Sequence, residues 1–599
     1  MLWRNREALG TLESVFTVAF LVWLAVFAAG IVFSVWRSEQ SRRAGRCAVS
    51  MYWLALVAAG VVGVAPLVAP AVDQETTGFS VDRALATIDE VAERPRPMGS
   101  AANEDARDHV AGELLGLGLE PEFQTVEAPD YYGDSGTIAV VNVLARISGT
   151  APTGAVVVVA HVDTLPETPG ANDNASGVAV ALETARVLLA GDPVRNDVIL
   201  LFTDGEEPAP RYGSTAFVAD HRWFDDVRFV VNLEAIGTDG PSMLTETNGP
   251  QSWVLDQLAD SAPQPVAFSF LTETTALIGG SNTDFAPFRD AGIPGVEFVY
   301  FRGSSIYHTA LDTPDSVSRR SVHSHGINTV GLVRQLASED LVSTGSDAVF
   351  FTVGRFHLVR YSTTLGILIA AASGGALFAA VRRRRIWTGM VPGAATTLIA
   401  ALVAAIVVAV LWTPFAQWRD TMGVVESSAA LLALVALTAV LMTIPFEFAR
   451  RVEDARTPQG VLLAWWILAL ITAVAAPGMS YLFALPALVG ASALLLGFDP
   501  SSGPRAVAPA VLTVGVAVVV LIPAIDTYFQ FAQPRPGNPD SEILPMVAVP
   551  ALLVAFAIQL ALAFRPRPEH AGTDDMHPDE PTTPVLAERP STHRTATPR

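Results

Sequence analysis

The chain has 599 residues, a formal net charge of −21 and a mean hydropathy of +0.39. It is too long for one domain and too apolar for a wholly soluble protein, and its acidic balance argues against nucleic acid as a partner. Cys47 is its one cysteine, so neither an intrachain disulfide nor a cysteine-based metal site is available. All 38 basic residues are arginine. That composition points to a prokaryotic cell membrane, with an endoplasmic reticulum or vacuole membrane as the alternative.

Residues 1–72 read as two transmembrane helices. Apolar runs at 15–36 and 47–72 are each long enough for a hydrocarbon core of roughly 30 Å. The arginine-rich loop between them, 37–46, belongs on the cytoplasmic side. A signal peptide is a second reading of the first run, but it lacks a small-x-small cleavage site and a second span follows at once; a chain that starts near Met51 is a third.

Residues 73–355 change character. Here 41 acidic residues stand against 16 arginines, so this segment carries the whole negative balance and reads as an extracytoplasmic globular domain. Ser80 is an expected N-cap for a helix over 81–92, and 103–117 reads as an amphipathic helix stopped by Gly118. Strands are expected at 138–147, 155–160, 198–203, 227–233 and 295–301. Helices are expected between and after them at 176–190, 213–221, 251–260 and 320–337. This alternation predicts an α/β fold, a central mixed, largely parallel sheet flanked by helices. Ser242 is expected at the surface of this domain.

Residues 356–564 read as a seven-helix transmembrane region, with apolar runs near 361–381, 390–412, 427–446, 460–476, 480–497, 506–524 and 543–564. If the globular domain lies outside, the first of these runs leads inward, where it meets Arg382–Arg385. The chain is inside again at Arg450, Arg451 and Arg456, and at the tail, which opens Arg565-Pro-Arg567. These clusters agree on one orientation. The tail, 565–599, is rich in Pro, Thr and charge and is expected to be a disordered cytoplasmic segment.

Three buried-strand patterns end in metal-type side chains. The run 155–160 delivers His161 and Asp163, and Asn172-Asp173-Asn174 follows a loop later. The run 198–203 delivers Asp204-Gly205-Glu206-Glu207, and 227–231 delivers Asn232-Leu233-Glu234. The carboxyl ends of strands in an open α/β sheet are where ligands bind. Several carboxylates with histidine and no cysteine suit a two-metal hydrolytic site. Glu206 and Glu207 are adjacent, so one can bind metal while the other takes a proton. A second histidine is needed, and His308, in a polar loop after 295–301, is the best candidate; His323 and His325 have no acids around them. Asp312 and Asp315 read as turn formers or caps and not as ligands. Asn174-Ala-Ser176 is a formal glycosylation sequon inside the presumed metal loop, where it is inaccessible.

The ordered motifs resemble those of the family-28 zinc metallopeptidases, the co-catalytic two-zinc aminopeptidases. They are His-x-Asp, Gly-Ala-Asn-Asp-Asn-Ala-Ser-Gly, Asp-Gly-Glu-Glu, Asn-Leu-Glu and Tyr-His-Thr-x-x-Asp-Thr. Arg94-Pro-Arg-Pro-Met-Gly-Ser100 and the seam Asp347-Ala-Val-Phe-Phe351 are similar to the membrane branch of that family, the endoplasmic reticulum and vacuolar membrane peptidases.

The resemblance implies two Zn2+ ions. His161, Asp173 and Glu234 would hold one and Asp173, Glu207 and His308 the other, with Asp173 bridging. It implies Glu206 as general base and Asp163 as the residue that orients His161. Tyr307 would be an oxyanion donor, and simple packing is its other reading. The implied partners are peptide substrates and membrane lipid. Glu234 stands where many soluble members have Asp, and Pro208-Ala-Pro210 stands where a glycine-rich turn is usual. The function implied is a membrane-anchored zinc exopeptidase of aminopeptidase type. A glutaminyl-cyclase-like acyltransferase with one zinc and a non-catalytic membrane receptor or scaffold are the alternatives. The presence of every ligand favours the peptidase.

Overall fold

The computed structural model describes residues 43–72, 77–133, 136–208, 210–419, 433, 436–441, 458–499, 503–531 and 540–566. The apolar run expected at 15–36, most of that at 427–446, and all but the first residues of the 565–599 tail lie outside these.

The expected strands become the middle of an eight-stranded sheet. In chain order these are β1 (Glu122–Pro129), β2 (Thr137–Ile147), β3 (Ala155–His161), β4 (Asp197–Thr203), β5 (Val227–Ala235), β6 (Met243–Asn248), β7 (Val266–Ala267) and β8 (Gly295–Tyr300). Their order across the sheet is β1-β2-β4-β3-β5-β8-β6-β7. The four central strands β4, β3, β5 and β8 run parallel. β2 and β6 flank them antiparallel.

Every residue of β3 and β4 is buried, as in strands covered on both faces. Side chains alternate between the faces. Val156, Val158 and Ala160 join a core with the helices Val81–Val91, Gly177–Leu189 and Arg319–Ser338, while Val157 and Val159 pack with Phe217, Phe285 and Phe288 on the other side. The apolar run thus feeds two cores at once, and each buried valine contributes roughly 1.5–3 kcal/mol. Ser80 and Ser100 cap the first two helices of the domain, each accepting a backbone N–H three residues on.

Three expectations shift. The second apolar run was expected to continue to residue 72, but its α-helix, Arg43–Val64, gives way to a short 3-10 turn, Ala65–Leu67, at Pro66. The globular unit also runs past residue 355. β9 (Ala348–Val353) and β10 (His357–Ser362) form a hairpin, and Ser362 then caps the helix Thr363–Arg384. Ser242 is buried, not exposed: its Oγ lies 2.9 Å from Nδ1 of His325.

Among the described residues, seven helices are long and apolar enough to cross a membrane: Val49–Leu67, Thr363–Arg384, Met390–Leu411, Pro458–Ala475, Pro477–Leu495, Val507–Phe531 and Val547–Phe564. They form one packed cluster with part of the globular unit, including Phe268, Phe270, Phe301 and Phe351. Phe351 stacks on Tyr481 at 4.4 Å between ring centroids. Contacts to the globular unit gather at one set of helix ends, near Leu67, Thr363, Gly478 and Gln530. Arg382–Arg385 sit at the far end of Thr363–Arg384, where Arg383 and Arg384 donate to the carbonyls of Leu495 and Phe498.

Candidate metal centre

Parallel pairing brings the carboxyl ends of β3, β4, β5 and β8 to one edge. His161 is in register with Thr203, and Glu234 with Val299. The donors named from the sequence therefore converge. His161 Nε2 lies 3.2 Å from Asp173 Oδ1 and 3.6 Å from Glu234 Oε2. His308 Nε2 lies 3.4 Å from Asp173 Oδ2 and 2.7 Å from Glu207 Oε1. Three sets have donor atoms within 4.8 Å of one another: His161, Asp173 and Glu234; Asp173, Glu207 and His308; and His161, Glu206 and Glu207. Glu206 thus sits among the donors, beside the residue assigned as a ligand.

The segment carrying Asp173 is fixed from several directions. Gly170 enters it at φ 65, and a Cβ there would meet the Asp173 carbonyl oxygen at 2.3 Å, so only glycine fits. The Asp173–Asn174 peptide is cis, as is Glu207–Pro208. Asp312 accepts the backbone N–H of Asn172 at 2.9 Å and of Asp173 at 3.1 Å. Asn174 donates to the Leu233 carbonyl at 2.7 Å and to Glu234 Oε2 at 3.3 Å. Asn232 donates to the other oxygen of Glu234. Arg96 is fully buried and donates to the carbonyls of Val162, Pro169 and Gly170, stapling the loop between β3 and Asp173. On the other side of the centre, His308 holds a left-handed backbone at φ 60, a conformation that costs a non-glycine residue and clusters at functional sites.

Asp163 is placed differently from a simple carboxylate partner of His161. The His161 Nδ1 faces the Asp163 backbone carbonyl at 3.1 Å, and the Asp163 carboxylate is farther away, at 3.7 Å. A carbonyl only accepts, so Nδ1 carries the proton and Nε2 points its lone pair into the centre. The Asp163 carboxylate instead accepts the backbone N–H groups of Glu206 at 3.1 Å and Glu207 at 3.0 Å. It sets the turn that aims both glutamates.

The electrostatics call for a cation. Burial, opposed by the nearby His161, pushes Asp163 and Glu234 up to about 8 and raises Glu206 well above the usual carboxylate range. Burial opposes the charge on Asp173 too, but the two imidazoles that face it, His161 and His308, outweigh it and hold this carboxylate low. For His308, burial is outweighed by Asp173 and Glu207, which lift it to about 9. A pocket with this surplus of carboxylate, lined by imidazole nitrogens and free of thiol, fits divalent ions of the zinc type.

Tyr307 stacks on the His308 ring at 3.7 Å between centroids. With Asn172, Asp173, Ile236, Gly237 and Ile306 it lines a cleft beside the centre. Other residues named from the sequence lie elsewhere: Asp315 is exposed, and His323 and His325 are buried in the helix Arg319–Ser338, where burial lowers His325 to about 3. Asp312, read as a turn former or cap, caps the backbone N–H groups of Asn172 and Asp173 and so clamps the Asp173 peptide.

The profile of peptidase family M28 matches residues 142–333, a span that contains every donor described above. Residues 142–333 are a peptidase family M28 domain. The M28 domain has curated relatives that carry membrane names. The chain is 32% identical over 217 residues to endoplasmic reticulum metallopeptidase 1 of Rattus norvegicus, covering 35% of this chain and 24% of that one. It is 26% identical over 380 residues to the vacuolar membrane protease of Candida dubliniensis, covering 60% and 40%. The matches therefore span well under half the length of these relatives. Among solved structures, an aminopeptidase from Aneurinibacillus sp. strain AM-1 is similar over 46% of this chain and 99% of its own, at 16% identity and a TM-score of 0.38.

Proposed function

We propose that the chain is a membrane-anchored metallopeptidase of the aminopeptidase type, holding two zinc ions and using Glu206 as its general base. The observation that carries this reading is the position of Asp173, whose two oxygens face two different histidines while Glu234 and Glu207 complete the two donor sets. His161, Asp173 and Glu234 would hold one ion and Asp173, Glu207 and His308 the other. Bound zinc supplies Lewis acidity and a water acidified toward neutrality.

The remaining chemistry belongs to side chains. Glu206 is buried beside Glu207 with its backbone N–H held by Asp163, so its carboxylate has a fixed place next to the donors. It takes up the proton given off by the attacking water and returns it to the leaving amine. Burial, with Asp173 and Glu207 nearby, raises the Tyr307 phenol well above its ordinary range, so it stays protonated. Stacked on His308, it donates to the oxyanion that forms at the scissile carbonyl.

We assign 1–67 and 363–564 to the membrane, 68–362 to an extracytoplasmic domain and 565–599 to a cytoplasmic tail, in a prokaryotic cell membrane. Support comes from the side on which the domain meets the helices, opposite Arg382–Arg385, and from the tendency of arginine to stay cytoplasmic. Peptides and membrane lipid are the partners, not nucleic acid. The test uses the full chain in detergent with aminoacyl reporters, free peptides and amino-blocked peptides. Hydrolysis is expected only beside a free amine, to vanish on chelation and to return with zinc. Cleavage confined to internal bonds of amino-blocked peptides would overturn the aminopeptidase assignment.

A further inference from the structure

The loop that carries Tyr307 and His308 begins at Arg302, the second residue after β8. On one side its base is fixed by backbone pairing: Arg302 donates to the Asp239 carbonyl at 3.0 Å and accepts from Thr238 and Asp239. Gly303 then turns at φ 73 into Ser304–Ile306, and the Tyr307 N–H closes on the Ser304 carbonyl. On the other side the base is held by two membrane helices, chiefly Val507–Phe531. Arg302 Nη1 donates to Asp526 Oδ2 at 3.1 Å and to the Leu67 carbonyl at 3.2 Å. Ser304 Oγ donates to the Gln530 carbonyl, and Phe301 stacks on Phe531 at 5.1 Å.

Both charged residues of the pair are buried. A carboxylate inside an apolar helix is costly unless it finds a partner, and such residues mark function more often than packing. The partner of Asp526 comes from the base of the Tyr307–His308 loop. Other polar contacts across this seam hold the scaffold instead, among them Thr274 with Tyr528 at 2.6 Å, Ser269 with the Gly478 carbonyl at 2.7 Å and the Gly478 N–H with Glu273 at 2.9 Å.

We propose that the membrane helix Val507–Phe531 is a working part of the M28 site, and that Asp526, through Arg302, is a positioning residue for the loop bearing Tyr307 and His308. Its catalytic consequence rests on the peptidase reading above; its structural consequence does not. A shift of this helix moves the loop base while leaving His161 and Glu234 in place, because those are held by the sheet.

The test compares the full chain in lipid nanodiscs with Asp526→Asn, Asp526→Glu and Tyr528→Phe, reading amide hydrogen exchange, zinc content and peptide hydrolysis. Asp526→Asn is expected to speed exchange across 303–309 without changing 155–161, to lower zinc content from two ions toward one, and to cut kcat roughly 10–100-fold. Asp526→Glu keeps the charge and should recover most of the rate. Tyr528→Phe, which removes only the scaffold contact to Thr274, should leave loop exchange and kcat unchanged. If Asp526→Asn matches the parent in loop exchange, zinc and kcat, the proposal is overturned. So is it if Tyr528→Phe loosens the loop equally, since the effect is then general loosening of the seam. A parent that hydrolyses no peptide, yet whose loop loosens in Asp526→Asn, would sink the peptidase reading and keep the coupling.

Discussion

Asp312 grips the peptide that carries Asp173. Its Oδ2 accepts the Asp173 N–H at 3.1 Å, and its Oδ1 accepts both the backbone and the side-chain N–H of Asn172. Both Asp312 oxygens are taken up by these N–H groups, so its effect on the centre runs through the geometry of Asp173. Removing a partner of this kind commonly costs 10–100-fold in metal affinity. Asp312→Ala is therefore expected to weaken zinc binding by about that factor while the domain still folds, as measured by competition against a calibrated chelator. Unchanged affinity would show that the 171–176 segment is fixed without it.

Glu206 and Glu207 are neighbours with different assignments, and paired variants separate them. Glu206→Gln keeps the shape and removes the base, so kcat should fall roughly 10²–10⁴-fold with both zinc ions retained. Glu207→Gln removes a donor that lies 2.7 Å from His308, so it should lose zinc as well as rate. Steady-state kinetics with zinc analysis on the same samples decides between them. Zinc loss in Glu206→Gln with full zinc in Glu207→Gln would exchange the two roles, an exchange the third donor set makes chemically reasonable.

The orientation of the domain is tested by thiol labelling. Ser242 cannot serve, because it is buried against His325. Leu115, 60% exposed on the helix Ala101–Gly116, is the better site. In a Cys47→Ser background, Leu115→Cys should react with an impermeant maleimide in intact cells. Protection until lysis would place the domain in the cytoplasm.

What the sequence revealed and what it hid have physical causes. β3 and β4 were legible because strands covered on both faces read as unbroken apolar runs, and the donors follow directly at their ends. β6 was missed because Met243–Asn248 carries Thr245 and Glu246, which become buried only by pairing with Glu297, Arg289 and Ser281. β1 is an edge strand with alternate residues half-exposed, which leaves a weak signal. The roles of Asp312 and Arg96 were hidden because their partners lie far along the chain, at 172–173 and at 162–170. The Asp163 carboxylate was expected to orient His161, yet the shorter contact is to the Asp163 carbonyl. Local spacing cannot distinguish which oxygen of a residue two positions away faces a ring.

The central claim is that Asp173 joins two metal sites, and elemental analysis of the purified full chain tests it most directly. The account predicts two zinc ions per chain in the parent and a loss at both sites in Asp173→Asn, because each oxygen faces a different histidine. One zinc per fully loaded chain, with Asp173→Asn losing only that ion, would contradict the two-metal mechanism and favour a one-metal acyltransferase on this scaffold.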